Sequence, residues 1–238
     1  IKYYYAPTHT LLYEARNYAF EKTSGELIAF LDVDDSWVPE KLQRQVPVFS
    51  DPAVGVSASN YWIDQQLKDK SFLAHKKPMP SGKVLDALLR YYYVGLLTLI
   101  IRRSALPHDH SPFNPLFHII GDFDLVTRLT AVWDLSYVYK PLATYRIHGG
   151  NESIKRRELL VGELECWVNA QTKNGLIPNV CRHGSLELYL NYSKASQAML
   201  LSSRFVAFSY VRRMPWCYLK IKALFGLMLP SKLVQKIF

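Results

Sequence analysis

The chain has 238 residues, 49% of them hydrophobic and 21% charged, which suffices for a packed core and excludes a disordered chain or a coiled coil. Lysine and arginine number 29 against 20 acidic residues, a formal charge of +9, so the expected partners are anionic: phosphate-bearing substrates, nucleic acid or an anionic membrane surface. Three widely spaced cysteines (Cys166, Cys181 and Cys217) form no CxxC, which excludes a zinc site and a disulfide framework and fits a reducing compartment. There is no signal-peptide pattern, and no apolar run reaches the length of about 18 residues that spans a bilayer.

In chain order, Ile1 to Ala6 reads as a strand. Thr10 is placed to cap a helix that runs to Thr23, and Gly25 stops it. Leu27-Ile28-Ala29-Phe30-Leu31 is continuously apolar and is expected as a buried central strand. Pro39 opens a second helix with Leu42, Val46 and Phe49 on one face. Val54 to Ser59 and Tyr61 to Ile63 read as strands, Val84 to Tyr93 as a helix and Leu96 to Arg102 as a strand. Leu106 to His118 holds three prolines and is a loop. Asp122 to Ala131 is helical, and Leu135 to Ile147 gives one or two strands. This alternation predicts an α/β fold, a sheet flanked by helices.

Strand signals vanish after Asn151, so two parts are expected: 1–153, and a mainly helical extension over 154–238. Within the extension, Met214 to Phe238 mixes Trp216, Phe225 and several leucines with Lys220, Lys222, Lys232 and Lys236. That composition suits a helix lying on an anionic membrane surface; a terminal helix packed on its own domain is the competing reading.

Phe30-Leu31-Asp32-Val33-Asp34-Asp35 puts three carboxylates at the carboxyl end of an apolar strand, where open α/β sheets bind ligands. Asp32 and Asp34 alternate along an extended chain and can point to one side. Clustered like charges favour a hard divalent cation, Mg2+ or Mn2+, shared with substrate phosphates. Without one, the triplet is a turn in which Asp35 or Ser36 caps the next helix.

Around this turn stand Ala15-Arg16-Asn17, then Gly25-Glu26-Leu27 running into the acidic turn, then Trp37, Pro39, Lys41-Leu42 and Gln45. Together they resemble the central signature of family 2 glycosyltransferases of the GT-A fold, and the resemblance extends to Ser153. It implies a GT-A-like (Rossmann-like) mixed sheet and a metal-dependent, inverting transfer of a sugar from a nucleotide-sugar donor to a glycan or lipid-linked acceptor. It also implies that Asp32 contacts the ribose or sugar, that Asp34 holds the metal on the diphosphate, and that Arg16 adds a positive contact to the donor or organises the aspartates. The expected setting is cell-surface polysaccharide or glycolipid synthesis in the cytoplasm, at the inner face of the cell membrane.

Two further segments carry the resemblance. Gly121-Asp122-Phe123-Asp124-Leu125 resembles the family segment that supplies the catalytic base, with Gly121 in place of the usual Glu. Asp122 is therefore the candidate base, its alternative being a helix cap. Asp124 is expected to pair with Arg128, four residues on, along the helix surface. Tyr145-Arg146-Ile147-His148, followed by Asn151 and Ser153, resembles the segment closing the donor site, which implies Arg146 on the donor and His148 at the metal or diphosphate. The family's opening nucleoside-binding βαβ unit has no counterpart, so the chain reads as N-terminally incomplete.

Two other readings compete. A strand ending in Asp-x-Asp also resembles haloacid-dehalogenase-like phosphohydrolases, and an inactive truncated domain could serve only membrane or partner binding. Dispersed basic residues without a recognised motif argue against nucleic acid.

Overall fold

A computed structural model describes residues 2–6, 8–106, 111–151, 155, 156, 158–174, 184–230 and 233. The chain forms two compact units, residues 1–157 and 158–238. The boundary expected near 154 falls on residues 152–154, outside the described residues.

The first unit is built on a six-stranded mixed sheet. Its elements are α1 (Leu12–Glu21), β1 (Leu27–Ala29), β2 (Ser36–Trp37), α2 (Lys41–Gln45), β3 (Val54–Gln65), β4 (Lys70–Leu73), α3 (Leu85–Arg90), β5 (Ile100–Arg102), α4 (Gly121–Thr130) and β6 (Asp134–Ile147). Strand order is β1-β5-β3-β6-β2, with β4 on β3. The β3–β6 pair is parallel and the others are antiparallel. This is the GT-A-like α/β architecture that the motifs imply.

Residues 54–60 of β3 are buried without interruption, as in a strand covered on both faces. Val56 and Ala58 share one cluster with Ile101 of β5 and Leu125, Val126 and Leu129 of α4. In a second cluster, Phe49, Val54 and Ile100 close over Leu27 and Ala29.

Several expectations are corrected. Lys2 to Ala6 forms no strand, since no described strand pairs with it. Leu27 to Leu31 is shortened to Leu27–Ala29, because Phe30 already turns toward the acidic segment, and among the described residues it lies at the end of the strand order, paired with β5. Leu11 rather than Thr10 sits at the helix N-cap, where its N–H donates to the Glu14 carboxylate at 3.1 Å. The two strands expected on either side of Asn60 are one. Asn60 lies at a bulge against Pro141, and its side chain takes the N–H of His75 at 3.1 Å and donates to the His75 carbonyl at 2.8 Å. Helix α3 ends at Arg90, and Leu96 to Thr98 is a 3-10 turn before the short β5.

The helix opened by Pro39 shows the largest departure. It is α-helical only over Lys41–Gln45 and tightens to a 3-10 turn from Val46, because Pro47 has no N–H for the α-helical ladder. Leu42 and Val46 are exposed, whereas Lys41 and Gln45 are buried at 1% and 0% exposure. Burial lowers the Lys41 ammonium to about 8. Lys41 donates to Gln45 Oε1, and to the Thr98 carbonyl at 3.1 Å. Gln45 donates to the same carbonyl and to Ser57 Oγ, both at 3.0 Å. Trp37 Nε1 donates to the Leu97 carbonyl at 2.7 Å. The polar residues of this motif thus tie the chain after the acidic turn to the Leu96–Thr98 turn.

The second unit comprises α5 (Leu159–Asn174), α6 (Gly184–Leu200), α7 (Arg204–Arg213) and α8 (Tyr218–Met228). Ala195, Ala198 and Met199 of α6, Ala207 and Val211 of α7 and Ala223 of α8 form its core, small residues that let the helices approach closely. Ser202 adopts the left-handed conformation (φ 61°) that ends α6, and its N–H reaches the Met199 carbonyl at 3.0 Å. Leu224, Leu227 and Leu229 of the apolar tail pack against this core. Trp216, Tyr218, Ile221, Phe225 and Met228 are exposed. Residues 231, 232 and 234–238 of the expected surface helix lie outside the described residues. No helix among the described residues is long and apolar enough to cross a membrane.

Candidate active site

The acidic turn joins two distant parts of the sheet. It leaves β1, whose partner β5 pairs with Val56 and Ser57 of β3, and enters β2, which pairs with Ala143 and Thr144 of β6. Asp35 closes the turn with its N–H on the Asp32 carbonyl at 3.1 Å. Arg16 comes from α1. Its Nη2 donates to both carboxylate oxygens of Asp32 at 2.7 Å, a charge-assisted pair that fixes the first aspartate. Carboxylate oxygens of Asp32, Asp34 and Asp35 all lie within 4.8 Å of one another. Burial pushes the Asp35 carboxyl up to about 6. The Arg146 N–H, which donates to it at 3.0 Å, opposes the rise, and the charges of Asp34 and Asp32 add to it.

The end of β6 completes this side. His148 Nε2 lies 2.9 Å from Asp34 Oδ2. Gly150 N–H donates to His148 Nδ1 at 3.0 Å, which leaves the ring proton on Nε2 as donor to Asp34. A Cβ on Gly150 would lie 2.9 Å from the His148 ring, so glycine is needed for this contact. Asn151 accepts the His148 N–H at 2.6 Å and donates to the Arg146 carbonyl at 3.0 Å, holding the hairpin-like turn. Arg146 meets the site through its main chain; its side chain is exposed and does not line the pocket.

Across a cleft of about 560 Å³ stands α4. It begins at Gly121 with Ile120 as its cap, so Asp122 lies inside the first turn and is not the cap. Its Oδ1 accepts the Phe123 N–H at 2.9 Å. Burial pushes the Asp122 carboxyl up to about 6, against the pull of that N–H and of Arg16. Asp124 pairs with Arg128 at 2.9 Å, as expected, but it is buried at 3% exposure, and Arg128 also donates to the Pro112 carbonyl at 2.7 Å. The pair locks the loop before α4 to that helix.

Arg16, Asp32, Asp34 and Asp122 therefore line one pocket, with His148 on Asp34. Its other walls include Tyr13, Tyr61, Tyr145 and the Leu96–Leu97 turn. Tyr13 and Tyr61 carry no sequence signal, since an aromatic residue at such spacing reads as core, whereas Tyr145 opens the segment that resembles the family's donor-site closure. The cluster of hard carboxylate oxygens fits Mg2+ or Mn2+ better than a soft metal. Within the cluster, Asp32 is already neutralised by an arginine. Among the described residues β1 pairs with β5, antiparallel.

Residues 1–106 match the model of glycosyl transferase family 2. The chain is 32% identical over 143 residues to an uncharacterized glycosyltransferase of Nostoc sp., covering 58% of this chain and 44% of that protein. It is 30% identical over 99 residues to the UDP-Glc:alpha-D-GlcNAc-diphosphoundecaprenol beta-1,3-glucosyltransferase WfaP of Escherichia coli, covering 42% of this chain and 38% of that protein. A weaker, longer match of 22% identity over 205 residues, 83% of this chain and 67% of its counterpart, is to the amylovoran biosynthesis glycosyltransferase AmsB of Erwinia amylovora. The matches to the first two proteins thus cover less than half of each relative's length. Over residues 1–106 the chain is thus similar to glycosyl transferase family 2.

Proposed function

We propose that the protein transfers a sugar from a nucleotide-sugar donor to a hydroxyl of a glycan or lipid-linked acceptor, with inversion, in cell-surface polysaccharide or glycolipid synthesis. The carrying observation is the convergence of Arg16, Asp32, Asp34 and Asp122 on one pocket, with a carboxyl raised to about 6 opposite the acidic turn. Asp32, oriented by Arg16, receives the ribose or sugar hydroxyls. The acceptor oxygen attacks the anomeric carbon, the bond to the diphosphate breaks, and Asp122 takes the acceptor proton. Asp34 would hold Mg2+ or Mn2+, with His148 joining through Nε2 in the tautomer that carries its proton on Nδ1; the cation would supply charge neutralisation on the departing diphosphate. Arg146 serves the donor side indirectly, through the main-chain N–H that holds Asp35.

The names of the relatives support this reading, one acting on a diphosphoundecaprenol-linked acceptor and one in amylovoran biosynthesis. The test is an assay of nucleoside diphosphate release with a panel of nucleotide sugars and a polyprenyl-diphosphate-linked sugar. Release that needs both the acceptor and Mg2+ or Mn2+ is expected. Release without acceptor, or none with any donor while acceptor binds, overturns it.

The second unit is assigned a place at the inner face of the cell membrane. Leu188 to Phe238 contains eight Lys and Arg residues and no Asp or Glu. Trp216, Tyr218, Ile221, Phe225 and Met228 are exposed there, and so are Phe205 and Phe208 of α7. Aromatic side chains enter the head-group boundary, and each lysine near an anionic surface adds about 1 kcal/mol, screened by salt. The chain should co-sediment with phosphatidylglycerol vesicles, less at high salt and less with neutral vesicles. The exposed-side double change Phe225→Ala and Met228→Ala should weaken this binding while the fold persists. Unaltered binding would reject the surface-helix assignment.

A further inference from the structure

Tyr13 makes more contacts with the site than a core aromatic needs. It is 4% exposed on α1. Its ring stacks on Phe113, with centroids 5.0 Å apart, and lies 5.2 Å from the Arg16 guanidinium. Its hydroxyl donates to the Ile119 carbonyl at 3.1 Å and accepts the Asp122 N–H at 3.3 Å. These two groups flank the start of α4. The ring also dictates residue 121: a Cβ on Gly121 would lie 2.6 Å from Tyr13 Cε2 and Cζ, closer than real Cβ contacts come.

We infer that Tyr13 is a positioning residue that pins the first turn of α4 and so aims the Asp122 carboxylate into the pocket, and that Gly121 is the small residue this packing demands. An open helix start would let the carboxylate swing; the hydroxyl holds its main chain on both sides of the turn. The same ring packs beside Arg16, which fixes Asp32, so both carboxylate walls are set from one side chain. The departure of this chain from the family segment at 121 becomes one half of a matched pair. This inference rests on Asp122 being the base, and its test has readouts that need no sugar donor.

Tyr13→Phe keeps the ring and the core and removes only the hydroxyl. That hydroxyl is one of the groups holding the Asp122 carboxyl down, so a 13C-detected titration of Asp122 should move to higher pH. Turnover should drop roughly 10-fold to 100-fold with donor KM unchanged, the scale of a small misplacement of a catalytic group. A titration that does not move, or a loss confined to KM, overturns the positioning role. Thermal unfolding of Gly121→Ala, Tyr13→Leu and the double variant tests the packing. Gly121→Ala should lower Tm in the natural chain and change it little in the Tyr13→Leu background, where the shorter side chain leaves room for the added methyl. Additive shifts overturn the matched pair. Full transfer by Asp122→Asn together with a shifted titration in Tyr13→Phe would refute the base assignment instead.

Discussion

Asp34→Ala is expected to reduce sugar transfer by about 10³-fold or more, because a metal contact contributes several kcal/mol to the departing diphosphate in the transition state. The geometry makes the residue hard to replace. Asp32 is already bound by Arg16 through both oxygens at 2.7 Å, and Asp35 is tied to the Arg146 N–H. Asp34 faces His148, at 2.9 Å. Asp34→Asn keeps an oxygen for that hydrogen bond and loses the charge, so it should be nearly as inactive and at least as stable. Calorimetry with Mn2+ and a nucleoside diphosphate reads the effect without turnover. Heat of binding in the natural chain that both variants lack is expected. Equal heats in all three proteins would move the cation to other ligands.

The motifs that mark the site were legible because chemistry leaves polar residues where packing would not. Aspartates after an apolar strand, and a histidine and asparagine after another, stand out against their surroundings. What the pattern hid was long-range. Leu27–Ala29 is apolar enough for a central strand, yet sheet order depends on partners more than 70 residues away, and among the described residues the strand pairs with β5 alone. Lys41 and Gln45 are polar, and the helical spacing of Leu42, Val46 and Phe49 gives no reason to bury them. They are buried because each finds the Thr98 carbonyl, and no local periodicity records that partner. Tyr13 was invisible for the opposite reason. A tyrosine on an apolar helix face is what a core predicts, and only the folded chain puts its hydroxyl at the start of α4.

Asp122→Asn should cut turnover by roughly 10²–10⁴-fold while donor and metal binding persist, the range for loss of a general base. The substitution preserves shape and still offers an oxygen to the Phe123 N–H, so a purely structural residue would tolerate it. The pH behaviour sharpens the test. The carboxyl is raised from 3.8 to about 6 by burial, so its basic form is lost as pH falls through 6, and kcat/KM should decline there. Burial likewise raises the Asp35 carboxyl to about 6, so the limb is assigned to Asp122 only where Asp122→Asn removes it. The stability sign is the reverse. A carboxyl raised by folding binds its proton more tightly in the native chain, so stability falls as pH rises from about 4 to 6 and stays lower above. Asparagine carries no charge to bury, and the variant should match or exceed the natural chain in Tm at neutral pH. Loss of activity with Tm held or raised identifies a base kept at a cost to the fold. Retained activity would make Asp122 part of the helix start and nothing more.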